Sequence, residues 1–296
     1  MKKTLFYFLP ALLLLVVGCN DDDASASSNL TLSIQGLEDL GSSAAYEGWI
    51  IVDGSPVSTG VFTVNAGGEM SETSFNVNAE DLAAATKFVL TVEPVPDNDP
   101  APSDQKLLAG DFSATSANLS TGVAPALGSF NNASGMLFLR TPTDETNGNN
   151  GNDENGVWFG TPGAPPTAGL NLPTLPVGWA YEGWVIGDAG PISTGTFTEF
   201  DTQDDSNVYS GTENNVGPPI PGEDFFNNAP AGETFPLDVR GRTVVISVEP
   251  VPDNAEAPFL LKPLTAVVPT DATTAPATHS FSFNSAGVPT GTATRN

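Results

Sequence analysis

The chain has 296 residues, with 35 acidic against 9 basic side chains and a formal net charge of -26. No segment is rich in Lys or Arg, which excludes nucleic acid and anionic membrane surfaces as expected partners on electrostatic grounds. The apolar residues gather in short β-branched and aromatic runs, so folded domains with acidic loops are expected rather than a disordered chain, and the length suits about two of them.

At the start, Lys2 and Lys3 precede an apolar run from Leu5 to Val17. It is shorter than the roughly 20 residues of a membrane span and reads as a secretory signal. Its close, Leu15-Val16-Val17-Gly18-Cys19, resembles a bacterial lipobox, in which cleavage precedes a cysteine carrying a thioether-linked diacylglycerol. Cys19 is the only cysteine. Residues 1–18 are therefore expected to be a lipoprotein signal peptide, with Cys19 the lipidation site that holds the mature protein on a membrane through buried methylenes. Residues 19–29 follow as an acidic, small-residue tether with nothing to pack. Its acids, Asp21 to Asp23, resemble the export signals of surface lipoproteins in the Bacteroidetes. The expected address is the cell envelope, anchored to the outer membrane, with surface-exposed and periplasm-facing placements both open.

A first β domain is expected over residues 30–162. Leu30, Leu32 and Ile34 alternate with Thr31 and Ser33, the pattern of a half-buried strand. In Tyr46-Glu47-Gly48-Trp49-Ile50-Ile51 both alternate faces carry large apolar groups, which predicts an inner strand, with Gly48 leaving room for a neighbouring ring or backbone. Asp53-Gly54-Ser55-Pro56 is turn chemistry, and Val57 to Val64 returns as the partner of a hairpin. Ala79 to Lys87 is a short helix with Asn78 as N-cap. Phe88, Leu90 and Val92 mark a strand that Pro94 and Pro96 stop, and Lys106 to Gly110 and Met136 to Arg140 are further short strands. Many short β runs with frequent Gly and Pro predict an all-β sandwich or barrel.

From Asp144 to Gly156 the chain is dominated by Asp, Glu, Asn and Gly. These oxygens are hard ligands, which makes Asp144, Asp153 and Glu154 candidates for Ca²⁺, yet the spaced acids and closing Glu of an EF-hand are missing. A flexible loop is expected, at the tip of a hairpin joining Met136–Arg140 to Gly156–Phe159, and no resident cofactor. Residues 163–177, rich in Pro and Gly, are expected to be the linker.

The second β domain, residues 178–296, repeats the first. Tyr181-Glu182-Gly183-Trp184-Val185-Ile186 answers Tyr46 to Ile51, and Gly190-Pro191-Ile192-Ser193-Thr194-Gly195 answers Gly54 to Gly60. Val245-Ile246-Ser247-Val248-Glu249-Pro250-Val251-Pro252-Asp253-Asn254 answers Val89 to Asn98. The offset between copies grows from 135 to 156, a net insertion of 21 residues that falls within 201–236. Loop expansions of this kind are tolerated on surfaces, which is also where binding concentrates. The order of these strings resembles the extracytoplasmic C-terminal domain of the anti-sigma-K factor family, over Tyr46 to Gly110 and again over Tyr181 to Leu264. The resemblance implies a β-sandwich of sensor or structural type outside the cytoplasm. The cytoplasmic sigma-binding domain and the transmembrane helix of that family are not expected in this chain.

Two acid pairs recur, Glu47 with Glu93 and Glu182 with Glu249, and paired carboxylates are the residue types of glycoside hydrolysis. Recurrence in a duplicated chain follows from common ancestry, so no catalytic residues are expected. His279, the only histidine, stands near Phe281 and Phe283 in an expected last strand and is read as a surface or strand-end residue rather than a catalytic base. No phosphate-binding glycine loop and no His/Cys zinc cluster is present. Trp49 and Trp184 are candidate binding aromatics, either core or platforms for glycans. The reading is a non-catalytic, lipid-anchored envelope protein that binds or senses through protein contact. The alternative is a surface carbohydrate-binding or adhesive module, with the insertion and acidic loops as the contact region.

Overall fold

In the computed structural model, residues 26–214, 217–253 and 255–296 are described. The expected signal peptide, Cys19 and most of the expected tether lie outside them. The first strands are β1 (Ser27–Gln35), β2 (Ala44–Val52), β3 (Ser55–Phe62) and β4 (Ser74–Asn78), followed by helix α1 (Ala79–Ala84). Then come β5 (Lys87–Pro94), β6 (Lys106–Ser113), β7 (Ser116–Leu119), β8 (Ser134–Leu139), β9 (Gly156–Trp158), β10 (Gly160–Thr161), β11 (Thr167–Ala168) and β12 (Leu170–Asn171). The second half holds β13 (Trp179–Ile186), β14 (Pro191–Phe197), β15 (Gly222–Asp224), β16 (Thr243–Pro250), β17 (Leu264–Val267), β18 (His279–Ser280), β19 (Ser282–Phe283) and β20 (Thr290–Arg295). No helix among the described residues is long and apolar enough to cross a membrane.

The repeated strings build matching sheets. In the first copy the order is β3-β2-β5-β6, and in the second it is β14-β13-β16-β17, all antiparallel. Both hairpins carry a register break at the same point, between Gly48 and Trp49 and between Gly183 and Trp184. Thr59 and Thr194 are the extra residues, and the following Gly195 has φ 113°, a conformation that favours glycine. The alternation read from Tyr46 to Val52 is regular against β5, so Tyr46 and Ile50 enter the main core while Trp49 turns to the other face with Val89 and Ala109.

The covering sheets come from outside the repeated strings. The first sheet continues through β7, β20, β1 and β4 and folds over until β4 meets β3, where the Phe62 and Phe75 rings lie 5.9 Å apart. The second is covered by β12-β8-β9-β15, with β18 added to β8. Strand pairing therefore crosses the division expected at 163–177. Strands β8 and β9 precede that stretch but belong with the second copy, while β20, at the far end, pairs with β1 and β7 of the first. The stretch expected as linker carries β11 and β12, and β1 begins at Ser27, inside the expected tether. The main apolar face of each repeated sheet must be covered, and the strand that covers it need not be adjacent in sequence.

Helix α1 forms where expected and is shorter, ending at Ala84. Asn78 Oδ1 accepts from the amides of Glu80 and Asp81 at 2.9 and 3.1 Å. At the other end Arg295, from β20, donates Nη1 to the carbonyls of Leu82, Ala83 and Ala85 at 2.8, 3.0 and 3.1 Å. Its guanidinium also lies 4.4 Å from the Phe112 ring centroid. The chain terminus thus fastens the helix to the first sandwich.

Candidate functional site

Register brings the repeated acids together. Glu47 stands opposite Thr91 on β5 and Glu93 opposite Ala45, so Glu47 and Glu93 are diagonal neighbours on the sheet face away from the main core. Glu182 and Glu249 repeat this, with Glu182 opposite Ser247 and Glu249 opposite Ala180. Each pair sits in a matching hydrogen-bond chain. Trp49 Nε1 donates to Thr91 Oγ1 at 2.9 Å, Thr91 donates to Glu93, and Ser58 donates to Glu47. In the second copy Trp184 Nε1 donates to Ser247 Oγ at 2.8 Å, Ser247 donates to Glu249, and Ser193 donates to Glu182. A backbone amide closes each chain, Ser103 N to Glu93 at 3.0 Å and Phe259 N to Glu249 at 2.9 Å.

The indoles are therefore part of this framework. Trp49 is 3% exposed and Trp184 2%, so neither presents a face to a sugar ring. The tryptophans carry both an apolar body and an N–H, and here both are satisfied inside the fold.

The two copies differ in what surrounds the acids. In the first, Asp97 is exposed and its Oδ1 accepts from the Asp99 amide at 2.9 Å. In the second, the equivalent Asp253 is half-buried, and one oxygen from each of Glu182, Glu249 and Asp253 lies within 4.8 Å of the others. The inserted segment supplies a wall. Asp205 accepts from the Thr196 amide and hydroxyl at 2.7 and 2.9 Å, which holds Asp205 and Ser206 over β14. The result is a cleft of about 430 Å³ lined by Glu182, Ser193, Asp205, Ser206, Glu249 and Asp253 among others. Burial pushes the Glu182 and Glu249 carboxyls well above the usual range, and their neighbouring carboxylates push the same way. Sequence reading weighed the four glutamates but passed over Asp253, although it stands in the repeated Val-Pro-Asp-Asn string.

A second group of buried acids lies on the inserted segment itself. Glu223, on β15, is fully buried, accepts from Ser210, and leaves Oε2 without a partner. Asp224 beside it accepts from the Thr143 amide and hydroxyl at 3.0 and 2.6 Å. Desolvation raises the Glu223 carboxyl from 4.5 to about 7, with the Asp224 charge adding to it. The folded state holds this proton to higher pH than the unfolded chain, so its stabilising contribution is present below about pH 4.5 and lost as pH rises through about 7. Glu223→Gln keeps the Oε1 acceptor and removes the charge. It is expected to stabilise the protein by on the order of 2 kcal/mol at pH 8 and by little at pH 5. Urea unfolding of the two proteins at both pH values measures the difference, and an equal effect at pH 5 and 8 would contradict the titration.

The candidate calcium ligands do not gather. Asp144 Oδ2 accepts from Asn152 and Asn150 at 2.8 and 3.2 Å, and Asp153 accepts from the Thr141 amide at 3.2 Å and from Asn149 at 2.5 Å. Glu154 faces Arg240 at 3.4 Å. Among the described residues they form no group of three acids close enough to share an ion. The loop expected to be flexible is held by these bonds and by Thr143 on Asp224. His279 pairs with Leu137 in β18, not in the last strand, which is β20, and its Nε2 lies 3.0 Å from the Thr273 carbonyl oxygen.

The model of the anti-sigma-K factor rskA C-terminal family matches residues 23–106. The match falls on the first copy and contains the hairpin and the Glu47–Glu93 pair. No curated protein and no solved structure matches the chain.

Proposed function

We propose that the protein is a non-catalytic, lipid-anchored envelope protein that binds or senses through contact with another protein, using duplicated domains of anti-sigma-K type. The observation that carries this reading is the family match on residues 23–106. The second copy joins it through the shared strings and the same strand order. Burial of Trp49 and Trp184 favours protein contact over glycan binding, since sugar platforms need open rings. Cys19 supplies the anchor, on the outer membrane, with acyl chains contributing about 0.8 kcal/mol per buried methylene.

Crosslinking in intact envelopes followed by pull-down, run beside Cys19→Ala, tests this. The expected result is recovery of a membrane-bound sensor or sigma-regulatory protein from the parent and its loss from the variant. Recovery of polysaccharide alone would replace the contact reading with that of an adhesive module.

A further inference from the structure

We infer that the walled cleft of the second copy is a calcium site whose protein ligands are Glu182, Glu249 and Asp253. This goes beyond the contact reading and stands or falls separately from it. Three observations converge. The three carboxylates offer oxygens no more than 4.8 Å apart. A Ca²⁺ ion with bonds of about 2.3–2.6 Å spans that separation, and all-oxygen donors are the set it selects.

The second observation is an orphaned atom. Glu182 is only 5% exposed, and while its Oε1 accepts from Ser193, its Oε2 is buried with no donor from the protein, and the side chain instead meets the carboxyl of Asp253. That side chain is aimed at two further carboxylates. A buried carboxylate oxygen without a donor is strongly unfavourable, and placing two like charges beside it makes it more so. A divalent cation supplies the missing partner and reverses the sign of the local interaction. Among the described residues no ammonium takes this role: Lys262, whose charge reaches Glu249, directs Nζ to Glu38 at 3.3 Å.

The third is the surroundings. Ser193, Ser247 and the Phe259 amide each donate to a proposed ligand, the outer bonds that hold ligating carboxylates in a fixed orientation. The cleft of about 430 Å³ gives an ion access and room for the waters that complete a coordination of roughly six to eight. The first copy is an internal control. It has Glu47, Glu93 and Asp97 at equivalent positions, but Asp97 is exposed and the three do not converge. The inserted segment thereby acquires a task, which is to wall a site that the plain repeat lacks.

The test uses the soluble chain from residue 20, which leaves out the expected signal peptide and lipidated Cys19, stripped of metal with a chelator, and reads calorimetric titration with CaCl₂ together with melting temperature. One site is expected with Kd of about 10⁻⁴–10⁻³ M, the range of extracellular calcium modules. A rise in Tm of about 3 °C or more is expected at tenfold excess over Kd. Glu47→Gln is expected to keep the response, whereas Glu182→Gln and Asp253→Asn weaken binding at least tenfold. Asp253→Asn retains the acceptor for the Ala255 amide and carries the test should Glu182→Gln fail to fold. An unchanged response in both variants would assign the binding to the acidic loops and overturn the proposal. So would no response in the parent, a response to MgCl₂ in place of CaCl₂, or stabilisation by Glu182→Gln with no calcium effect, which marks a shared proton.

Discussion

A chain ending at Pro289 is expected to lose the cooperative unfolding of its first sandwich. The missing strand, β20, is an inner one, bonded to β7 through Gly291↔Leu119 to Thr294↔Ser116 and to β1 through Leu30↔Arg295 to Gln35↔Thr290. Its loss removes two ladders at about 1 kcal/mol net per hydrogen bond and leaves two sheet edges open. It also removes Arg295 from the carbonyls of α1 and from the Phe112 ring. Together these approach the roughly 5–15 kcal/mol that stabilises a domain. Far-UV circular dichroism melts and limited proteolysis read the outcome. The expected result is a fall in Tm of more than about 10 °C, with cleavage confined at first to residues before β8. A melt superimposable on that of the full chain would mean that β1 and β7 stand without their partner.

Gly183→Ala is expected to destabilise by about 3 kcal/mol, the upper part of the range for overpacking a core. A Cβ on Gly183 would overlap Thr194 Oγ1 and the Phe159 ring, whose Cζ lies 2.6 Å from that position. Phe159 cannot yield easily, since it is fully buried with the Phe197 and Phe281 rings 6.2 and 6.0 Å away. At Gly48, the equivalent position, the nearest atoms are Thr59 Oγ1 at 2.5 Å and Phe88 Cζ at 3.0 Å, so Gly48→Ala is expected to cost less. Urea unfolding of both variants gives the comparison. Equal losses would show that the two sandwiches close against these glycines with the same tightness.

What could be read from the sequence was local. The alternation of Tyr46 to Val52, the Asp53–Gly54 turn, the Asn78 cap and the Met136–Trp158 hairpin all depend on residues near one another, and each is present. The space left by Gly48 for a ring was also readable, and Phe88 fills it. The pairing of the covering strands was not, because β20 and β1 carry no shared string and pair across almost the whole chain. Self-similarity marks only the sheet that was repeated. The acids followed the same rule. Glu182 and Glu249 were visible as a recurring pair, but their convergence on Asp253 depends on strand register and on where the insertion folds back. The burial of Trp49 and Trp184 likewise needed the second side of the sheet, which periodicity alone leaves open.

The adjacency of β1 and β20 also sets an order of assembly. Domains generally fold as units during synthesis, with the N-terminal one first. Here β1 and β7 pair with a strand that lies beyond the whole second copy, so the first sandwich cannot be completed before β20 has been synthesised. The second sandwich contains its own strands from β8 to β19 and can form while the earlier segment is still incomplete. It then shortens the effective separation between β7 and β20, which lowers the entropy lost when the terminal strand docks. The second copy thereby serves as the clasp that lets the first one close.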